Sequence, residues 1–201
     1  MTNWSQSRKT LADYFTRPVA RLLAKTSITP NTISWLGFII AIGAVSLIIT
    51  GHLFAAGFVV LLAGFFDILD GALARSTNRN TRFGAILDSS LDRLGEAVVL
   101  LAILIFYILN ANERPVIVAL LVTLTIIGSF MVSYVRARAE ALDLKGQTGF
   151  FSRAERVIVL ALGLLFSQIS YALITALAII MVFSFITVSQ RLLYVWRQTK
   201  N

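Results

Sequence analysis

Four aspartates inside an otherwise strongly apolar sequence form the most informative pattern of this chain: Asp67, Asp70, Asp88 and Asp92. A carboxylate placed in hydrocarbon loses much of its hydration free energy, so an acid in such a context indicates a functional site. Four carboxylates repel one another unless a multivalent cation lies among them. Because oxygen ligands suit Mg²⁺, Mn²⁺ or Ca²⁺ better than zinc, the pattern predicts a site for one of these ions.

The spacing of the four acids predicts which helix faces carry them. Asp67 and Asp70 are three residues apart, so both fall on one face of a helix. Asp88 and Asp92 are four residues apart and share a face in the same way. The polar segment 76–84 between the pairs is short, which makes the two helices antiparallel neighbours. We therefore expect two pairs of carboxylates to face each other across a helix–helix seam.

The helices that hold these acids are predicted to be membrane spans. The chain has 201 residues, of which 57% are hydrophobic and 14% charged, and its mean hydropathy is +0.81. Long apolar runs cover residues 33–50, 53–66, 97–109, 115–135, 157–169 and 171–188. A spanning helix needs about 20 residues, so the shorter runs must continue into their charged ends. We expect an all-α integral membrane protein with one domain over 1–201 and six transmembrane helices over 30–196.

The segment 8–25 is predicted to be an amphipathic helix that lies in the membrane interface. Its apolar residues recur at roughly helical spacing between basic residues, and Pro18 predicts a kink or break within it. The first 27 residues are too polar for a cleavable signal peptide, so we expect the spans themselves to direct insertion.

The distribution of charge predicts the orientation of the chain in a membrane. The net charge is +8, and basic residues concentrate in the segments before the first span, between alternate spans and after the last. By the positive-inside rule, both termini and the acid cluster face the cytoplasm of a protein in the cell membrane. Such a basic face suits anionic lipid headgroups or a phosphorylated substrate, and we expect no nucleic-acid partner. The absence of cysteine from the sequence excludes disulfides and thiolate metal sites.

Local signals predict where two of the helices begin and where helices approach closely. Thr29 is a suitable N-cap before Pro30 for the first span. Ser152 and Glu155 have the spacing of a capping box before the fifth. Close helix packing is predicted at three glycines: Gly37, Gly43 and Gly64.

The acids belong to a longer pattern, Asp67-x2-Asp70-Gly71-x2-Ala74-Arg75-x8-Gly84-x3-Asp88-x3-Asp92. This pattern resembles, at every specified position, the signature of the CDP-alcohol phosphatidyltransferases, and the resemblance extends over about 29–191. Members of that family transfer a phosphatidyl or related group from a CDP-activated lipid to an alcohol and release CMP. The resemblance therefore implies a metal-dependent transferase that uses Mg²⁺ or Mn²⁺, with two ions, and that forms a homodimer.

The same resemblance implies roles for individual residues. Asp67, Asp70 and Asp88 would ligate the metal with help from Asp92. Asp92 would also be the general base that deprotonates the acceptor hydroxyl. The CDP moiety of the lipid would be held by Asn31, Asp70, Gly71, Ala74 and Arg75.

The second half of the chain indicates the acceptor. The segment SYVRARAEALDLKGQTGFFSRAERV resembles the branch of the family that makes phosphatidylinositol phosphate and its archaeal archaetidyl counterpart. The resemblance implies inositol 1-phosphate as acceptor and CDP-diacylglycerol or an archaeal CDP-ether lipid as donor. Ala154 stands where bacterial members commonly have proline, which leaves the lipid type open. The implied ligands of the acceptor phosphate are Arg136, Arg138, Arg153, Arg156 and Arg191.

The sequence pattern also allows two alternatives to an inositol-phosphate acceptor. Within the family, a phosphatidylglycerophosphate synthase would use glycerol 3-phosphate instead. Outside it, buried carboxylates also mark ion pathways, which allows a divalent-cation transporter. A transporter is disfavoured because the acids cluster on one side of the membrane, beside arginines that would repel a passing cation.

Overall fold

The computed structural model describes residue 16 and residues 18–77, 81–110, 115–146 and 148–200. Throughout those residues the secondary structure is helical, with no strand, which confirms the predicted all-α class. The six long helices are α1 (Pro30–Ile49), α2 (Leu53–Thr77), α3 (Arg82–Leu109), α4 (Pro115–Glu140), α5 (Arg153–Leu165) and α6 (Ala172–Thr199).

Two of these helices begin where the sequence predicts. The Thr29 hydroxyl accepts a hydrogen bond from the backbone N–H of Thr32 at 3.3 Å, and Pro30 occupies the first turn of α1. Ahead of α5, Glu155 Oε2 accepts from both the backbone N–H of Ser152 (2.8 Å) and its hydroxyl (2.5 Å). Both bonds run from Ser152 to the Glu155 carboxylate and hold the first turn of α5, which matters because that turn carries two of the site arginines.

Helix packing places α1 against α2 and α3, while α5 packs against both α2 and α6. The remaining helix, α4, packs against α6 and α3. The main apolar core is formed by residues of all six helices, among them Ile48, Val60, Leu100, Val122, Leu164 and Leu177.

Two of the three glycine predictions are confirmed. A Cβ on Gly37 would lie 3.3 Å from Phe66 Cβ, and a Cβ on Gly64 would lie 3.1 Å from Val157 Cγ1. The prediction for Gly43 is wrong, because a Cβ there would meet no described atom within 4 Å. Helical spacing places a glycine on a face, but only the neighbouring helix decides whether that face is crowded.

Among the described residues, four helices are long and apolar enough to cross a membrane: α1, α2, α4 and α6. Large apolar side chains on them point outward, such as Ile39 (60% exposed) and Leu120 (58%). So much exposed apolar surface requires a lipid or protein partner, and together with the four spans it indicates a multi-pass membrane protein. The other two helices do not meet these conditions. α3 carries five charged residues before residue 97, and α5 has only 13 residues.

Half of the predicted interfacial helix over 8–25 lies outside the described residues, which begin at residue 16. Residues 18–23 are helical, and the buried side chain of Ala20 packs beside Ile33 of α1 and Leu73 of α2. The last turn of this segment thus contacts the same ends of α1 and α2 that carry the polar site residues.

Candidate active site

Three of the four aspartates come together at the seam between α2 and α3. Asp67 and Asp70 lie one turn apart on α2, and Asp88 lies opposite them on α3. One carboxylate oxygen from each of the three lies within 4.8 Å of the other two. The two helices therefore present their acids to each other, as the spacing predicts.

A serine on α1 fixes one of these carboxylates. Ser34 Oγ donates a hydrogen bond of 2.5 Å to Asp70 Oδ2, and Asp70 is only 4% exposed. The bond orients the Asp70 carboxylate. Sequence reasoning missed Ser34, although it lies one helical turn after Asn31, which the family resemblance did indicate.

An arginine from α5 bridges the two acid-bearing helices. Arg153 Nη1 lies 2.7 Å from Asp92 Oδ2 on α3, and it also contacts Asp67 Oδ2 on α2. This guanidinium therefore ties the fourth aspartate to the other three.

The carboxylate cluster fits a divalent cation. Asp88 Oδ1 is buried, and nothing in the described part of the chain donates a hydrogen bond to it. A buried carboxylate oxygen without a donor needs another partner, and a cluster of hard oxygen atoms suits Mg²⁺ or Mn²⁺. Asp67, Asp70 and Asp88 are the residues that could hold such an ion.

A polar cavity of about 510 Å³ opens beside the acids, between α3, α4, α5 and α6. We call it the arginine cavity. Asp88 and Asp92 line it on the α3 side. Its arginines are Arg93, Arg136, Arg153, Arg156 and Arg191.

The arginines of this cavity have distinct partners. Arg136 Nε pairs with Glu140 one turn along α4 at 2.9 Å. Arg191 Nε donates to the Thr148 carbonyl at 2.7 Å, and its Nη1 donates to the Val132 carbonyl. Arg191 is thereby held by two backbone carbonyls and is 5% exposed.

Arg156 forms a bidentate ion pair with Glu96 of α3. Arg156 Nε donates to Glu96 Oε1 at 2.7 Å, and Nη2 donates to Oε2 at 3.0 Å. Both side chains are almost fully buried. Glu96 was missed from the sequence, although it lies four residues after Asp92 and hence on the same face of α3.

Two further arginines depart from the sequence prediction. Arg138 is exposed and does not line the arginine cavity, because it lies two residues, or about 200°, around α4 from Arg136. Arg93 also lines the cavity. The sequence did not indicate it, because neither its spacing nor the family motif distinguishes it from other basic residues.

The residues indicated for the CDP moiety lie on α1 and α2, away from the arginine cavity. A Cβ on Gly84 at the start of α3 would lie 2.9 Å from Asn31 Oδ1, so only glycine allows the Asn31 side chain to lie there. A Cβ on Gly71 would lie 3.3 Å from Arg75 Nη1, so the Arg75 side chain folds back along its own helix. Ala74 lies half-buried beside it.

A second, mostly apolar cavity of about 60 Å³ lies on the other side of the acids, within the bundle. Asp92, Glu96, Arg153 and Arg156 line both cavities. The two ion pairs between α3 and α5 therefore form the wall that separates them.

A helical bundle with a carboxylate cluster beside an arginine cavity is consistent with a membrane enzyme of a known family. The sequence pattern of the CDP-alcohol phosphatidyltransferase family matches residues 27–190, and the chain is a member of that family, as the motif predicts.

Individual relatives are named as inositol-lipid synthases. The phosphatidylinositol phosphate synthase of Mycobacterium tuberculosis is 38% identical over 187 residues, which cover 90% of this chain and 85% of that protein. The archaetidylinositol phosphate synthase of Methanothermobacter thermautotrophicus is 34% identical over 191 residues, covering 92% and 94%.

Solved structures of the M. tuberculosis enzyme have the same fold. Its structure with CDP-DAG bound superposes with a TM-score of 0.80 at 37% identity and covers 90% of this chain and 93% of that one. Its complex with manganese and citrate also gives a TM-score of 0.80 at 37% identity, covering 90% and 88%.

Proposed function

We propose that this protein transfers a phosphatidyl group, or its archaeal ether analogue, from a CDP-activated lipid to inositol 1-phosphate. The products are CMP and phosphatidylinositol phosphate. The observation that carries the proposal is the arginine cavity, which opens directly onto Asp88 and Asp92. A phosphorylated acceptor in that cavity would have its phosphate beside guanidinium groups and a hydroxyl near the carboxylates. The names of the relatives support the same acceptor.

The metal site of this proposal consists of the clustered aspartates. Asp67, Asp70 and Asp88 would hold Mg²⁺ or Mn²⁺. The family resemblance adds Asp92 as a further ligand of a second ion. An ion held there would supply positive charge to neutralise the pyrophosphate of the donor and the CMP leaving group. The manganese complex of the M. tuberculosis relative supports the use of a divalent ion.

Asp92 is the proposed general base. In the reaction, a hydroxyl oxygen of the acceptor forms a bond to the β-phosphorus of the CDP-lipid while the bond from that phosphorus to the CMP oxygen breaks. The hydroxyl proton goes to the Asp92 carboxylate, which must therefore lie within hydrogen-bond reach of the acceptor. Its position on the wall of the arginine cavity, oriented by Arg153, supports this role.

The donor side is assigned to α1 and α2. Asn31, Asp70, Gly71, Ala74 and Arg75 would hold the CDP moiety at the ends of these helices. Small residues at two of the positions allow a nucleotide to approach the helix backbone closely, and Arg75 can pair with a phosphate. The acids would then lie between the nucleotide and the acceptor.

The acceptor phosphate is assigned to Arg136, Arg153, Arg156 and Arg191. All four line one cavity, and guanidinium groups bind phosphate through paired N–H donors. Arg138 remains a prediction from the resemblance alone, since its side chain lies outside that cavity.

The proposed topology has six membrane spans, with α3 and α5 added to the four helices that are long and apolar enough to cross a membrane. The basic residues at one end of the bundle favour a protein of the cell membrane whose termini and active site face the cytoplasm. The segment 8–25 would lie in the interface on that side, and lipids would cover the outward apolar residues. A homodimer is proposed from the family resemblance, and cross-linking in native membranes would test it.

The decisive experiment measures CMP release from CDP-diacylglycerol by the purified protein with a panel of acceptors. We expect release that requires both Mg²⁺ or Mn²⁺ and inositol 1-phosphate. Asp88→Asn serves as the inactive control, because it removes a carboxylate from the cluster. Robust turnover with glycerol 3-phosphate and none with inositol 1-phosphate would overturn the acceptor assignment.

A further inference from the structure

The buried ion pair between Glu96 and Arg156 is expensive to form in the interior of a bundle. Two charges removed from water lose more hydration free energy than they commonly regain, and apolar residues of similar volume hold such positions at least as well. Arg156 is 2% exposed and Glu96 is 7% exposed, so solvent contributes little. The pair therefore calls for an explanation other than stability.

The contacts of the pair use only one edge of the guanidinium. Glu96 accepts from Nε and Nη2 of Arg156 and leaves the two N–H donors of Nη1. Nη1 is buried, and among the described residues it has no hydrogen-bond partner. Buried donors without partners are rare in folded proteins and indicate a ligand or an ion.

The pair lies next to the reacting groups. On α3, Glu96 is one turn beyond Asp92, and on α5, Arg156 is one turn beyond Arg153. The two acids thus pair with the two arginines in register, at 2.7 Å for Asp92 with Arg153 and 2.7 Å for Glu96 with Arg156. In this pair of ion pairs, Glu96 is the acid that holds the guanidinium of Arg156 in place, as Asp92 holds that of Arg153.

We propose that Glu96 is a positioning residue that grips the Nε–Nη2 edge of Arg156 and leaves Nη1 to bind the phosphate of the acceptor. It thereby determines the preference for a phosphorylated acceptor over a neutral alcohol. This inference rests on the proposed function and adds to it a residue outside the family signature. The ligand class is a phosphate monoester, and inorganic phosphate is its simplest probe.

The test compares wild type with Glu96→Gln, which preserves size but removes the charge. We expect the KM for inositol 1-phosphate to rise at least about tenfold, since a charged hydrogen bond is weakened. Inhibition by inorganic phosphate should weaken in parallel, whereas binding of radiolabelled CDP-diacylglycerol should change less than about twofold. Asp143→Asn is the matched control, because it removes a carboxylate that is exposed and lines neither cavity.

A double variant, Glu96→Leu with Arg156→Met, separates positioning from folding. We expect it to melt within about 2 °C of wild type, because apolar residues can replace a buried pair, yet to show the same or a larger rise in KM. An unchanged KM in Glu96→Gln would overturn the inference. So would an equal loss of CDP-lipid binding, or a double variant that fails to fold.

The two proposals fail in different ways. If wild type uses glycerol 3-phosphate and not inositol 1-phosphate, the proposed function is wrong. The inference about Glu96 is then tested by comparing the KM for glycerol 3-phosphate between wild type and Glu96→Gln. If wild type uses only an unphosphorylated alcohol and inorganic phosphate does not inhibit it, both are wrong.

Discussion

Arg153 Nη1 lies 2.7 Å from Asp92 Oδ2 and also contacts Asp67 Oδ2, so one guanidinium from α5 joins the carboxylates of α2 and α3. Arg153 is the first residue of α5, and the Ser152–Glu155 capping box fixes that helix start. The position of a charge at the centre of the site is therefore set by a local signal at a helix terminus.

Replacing Asp92 by asparagine should abolish transfer while leaving the donor site intact. A general base contributes about 10²–10⁴-fold to the rate, and asparagine keeps the shape but cannot take the proton. CMP release measures the loss, and binding of radiolabelled CDP-lipid measures the donor site. Near-normal turnover in this variant would remove Asp92 from its role, and Asp143→Asn controls for loss of one surface carboxylate.

Replacing Ser34 by alanine should weaken metal binding without removing a ligand. The variant loses the 2.5 Å hydrogen bond that orients Asp70. Loss of a partner that orients a metal ligand costs about 10–100-fold in metal affinity or activity, so the Mn²⁺ concentration for half-maximal binding should rise by that order. Electron paramagnetic resonance of Mn²⁺ measures this affinity directly and does not depend on turnover. A Ser34→Thr variant keeps a hydroxyl and should retain most of the affinity; equal affinities in wild type and Ser34→Ala would contradict the prediction.

Arg191 and Arg138 make a matched pair that tests whether the arginine cavity binds the acceptor. Arg191 is buried in the cavity wall, whereas Arg138 is exposed outside it. Arg191→Ala should raise the KM for inositol 1-phosphate at least about tenfold through lost charged hydrogen bonds. Arg138→Ala should change it less than about twofold, as is usual for a surface residue. Equal effects would mean that the acceptor extends beyond the cavity.

Gly57 and Gly43 make a second matched pair, for stability. A Cβ on Gly57 would lie 2.8 Å from Leu165 Cγ on α5, whereas one on Gly43 would meet no described atom within 4 Å. Gly57→Ala should therefore destabilise the bundle by about 1–3 kcal/mol through overpacking. Gly43→Ala should be neutral or stabilise by up to about 1 kcal/mol, because alanine favours helix. Melting in detergent, followed by circular dichroism, compares them, and an equal response would contradict the close α2–α5 contact.

Features that lie within one helix could be predicted from the sequence. The two aspartate pairs, the N-cap at Thr29 and the capping box at Ser152 all follow from spacings of three or four residues, which helix geometry converts directly into proximity. The motif that joins the pairs then sufficed to indicate the family. The number of membrane spans is harder to predict than the helices themselves, because α3 carries charged residues in its first half and α5 has only 13 residues.

Contacts between helices were decided only by the tertiary structure. Ser34 meets Asp70 across 36 residues, and Arg156 meets Glu96 across 60, and no periodicity within either helix encodes those distances. Among the arginines, composition could not tell Arg136, which lines the cavity, from Arg138, two residues away on another face. The sequence by itself determined which acids share a helix face, because backbone geometry is local. How each helix is rotated and which helices it contacts depend on the packing of the whole bundle. That packing determines which arginines lie around the acids.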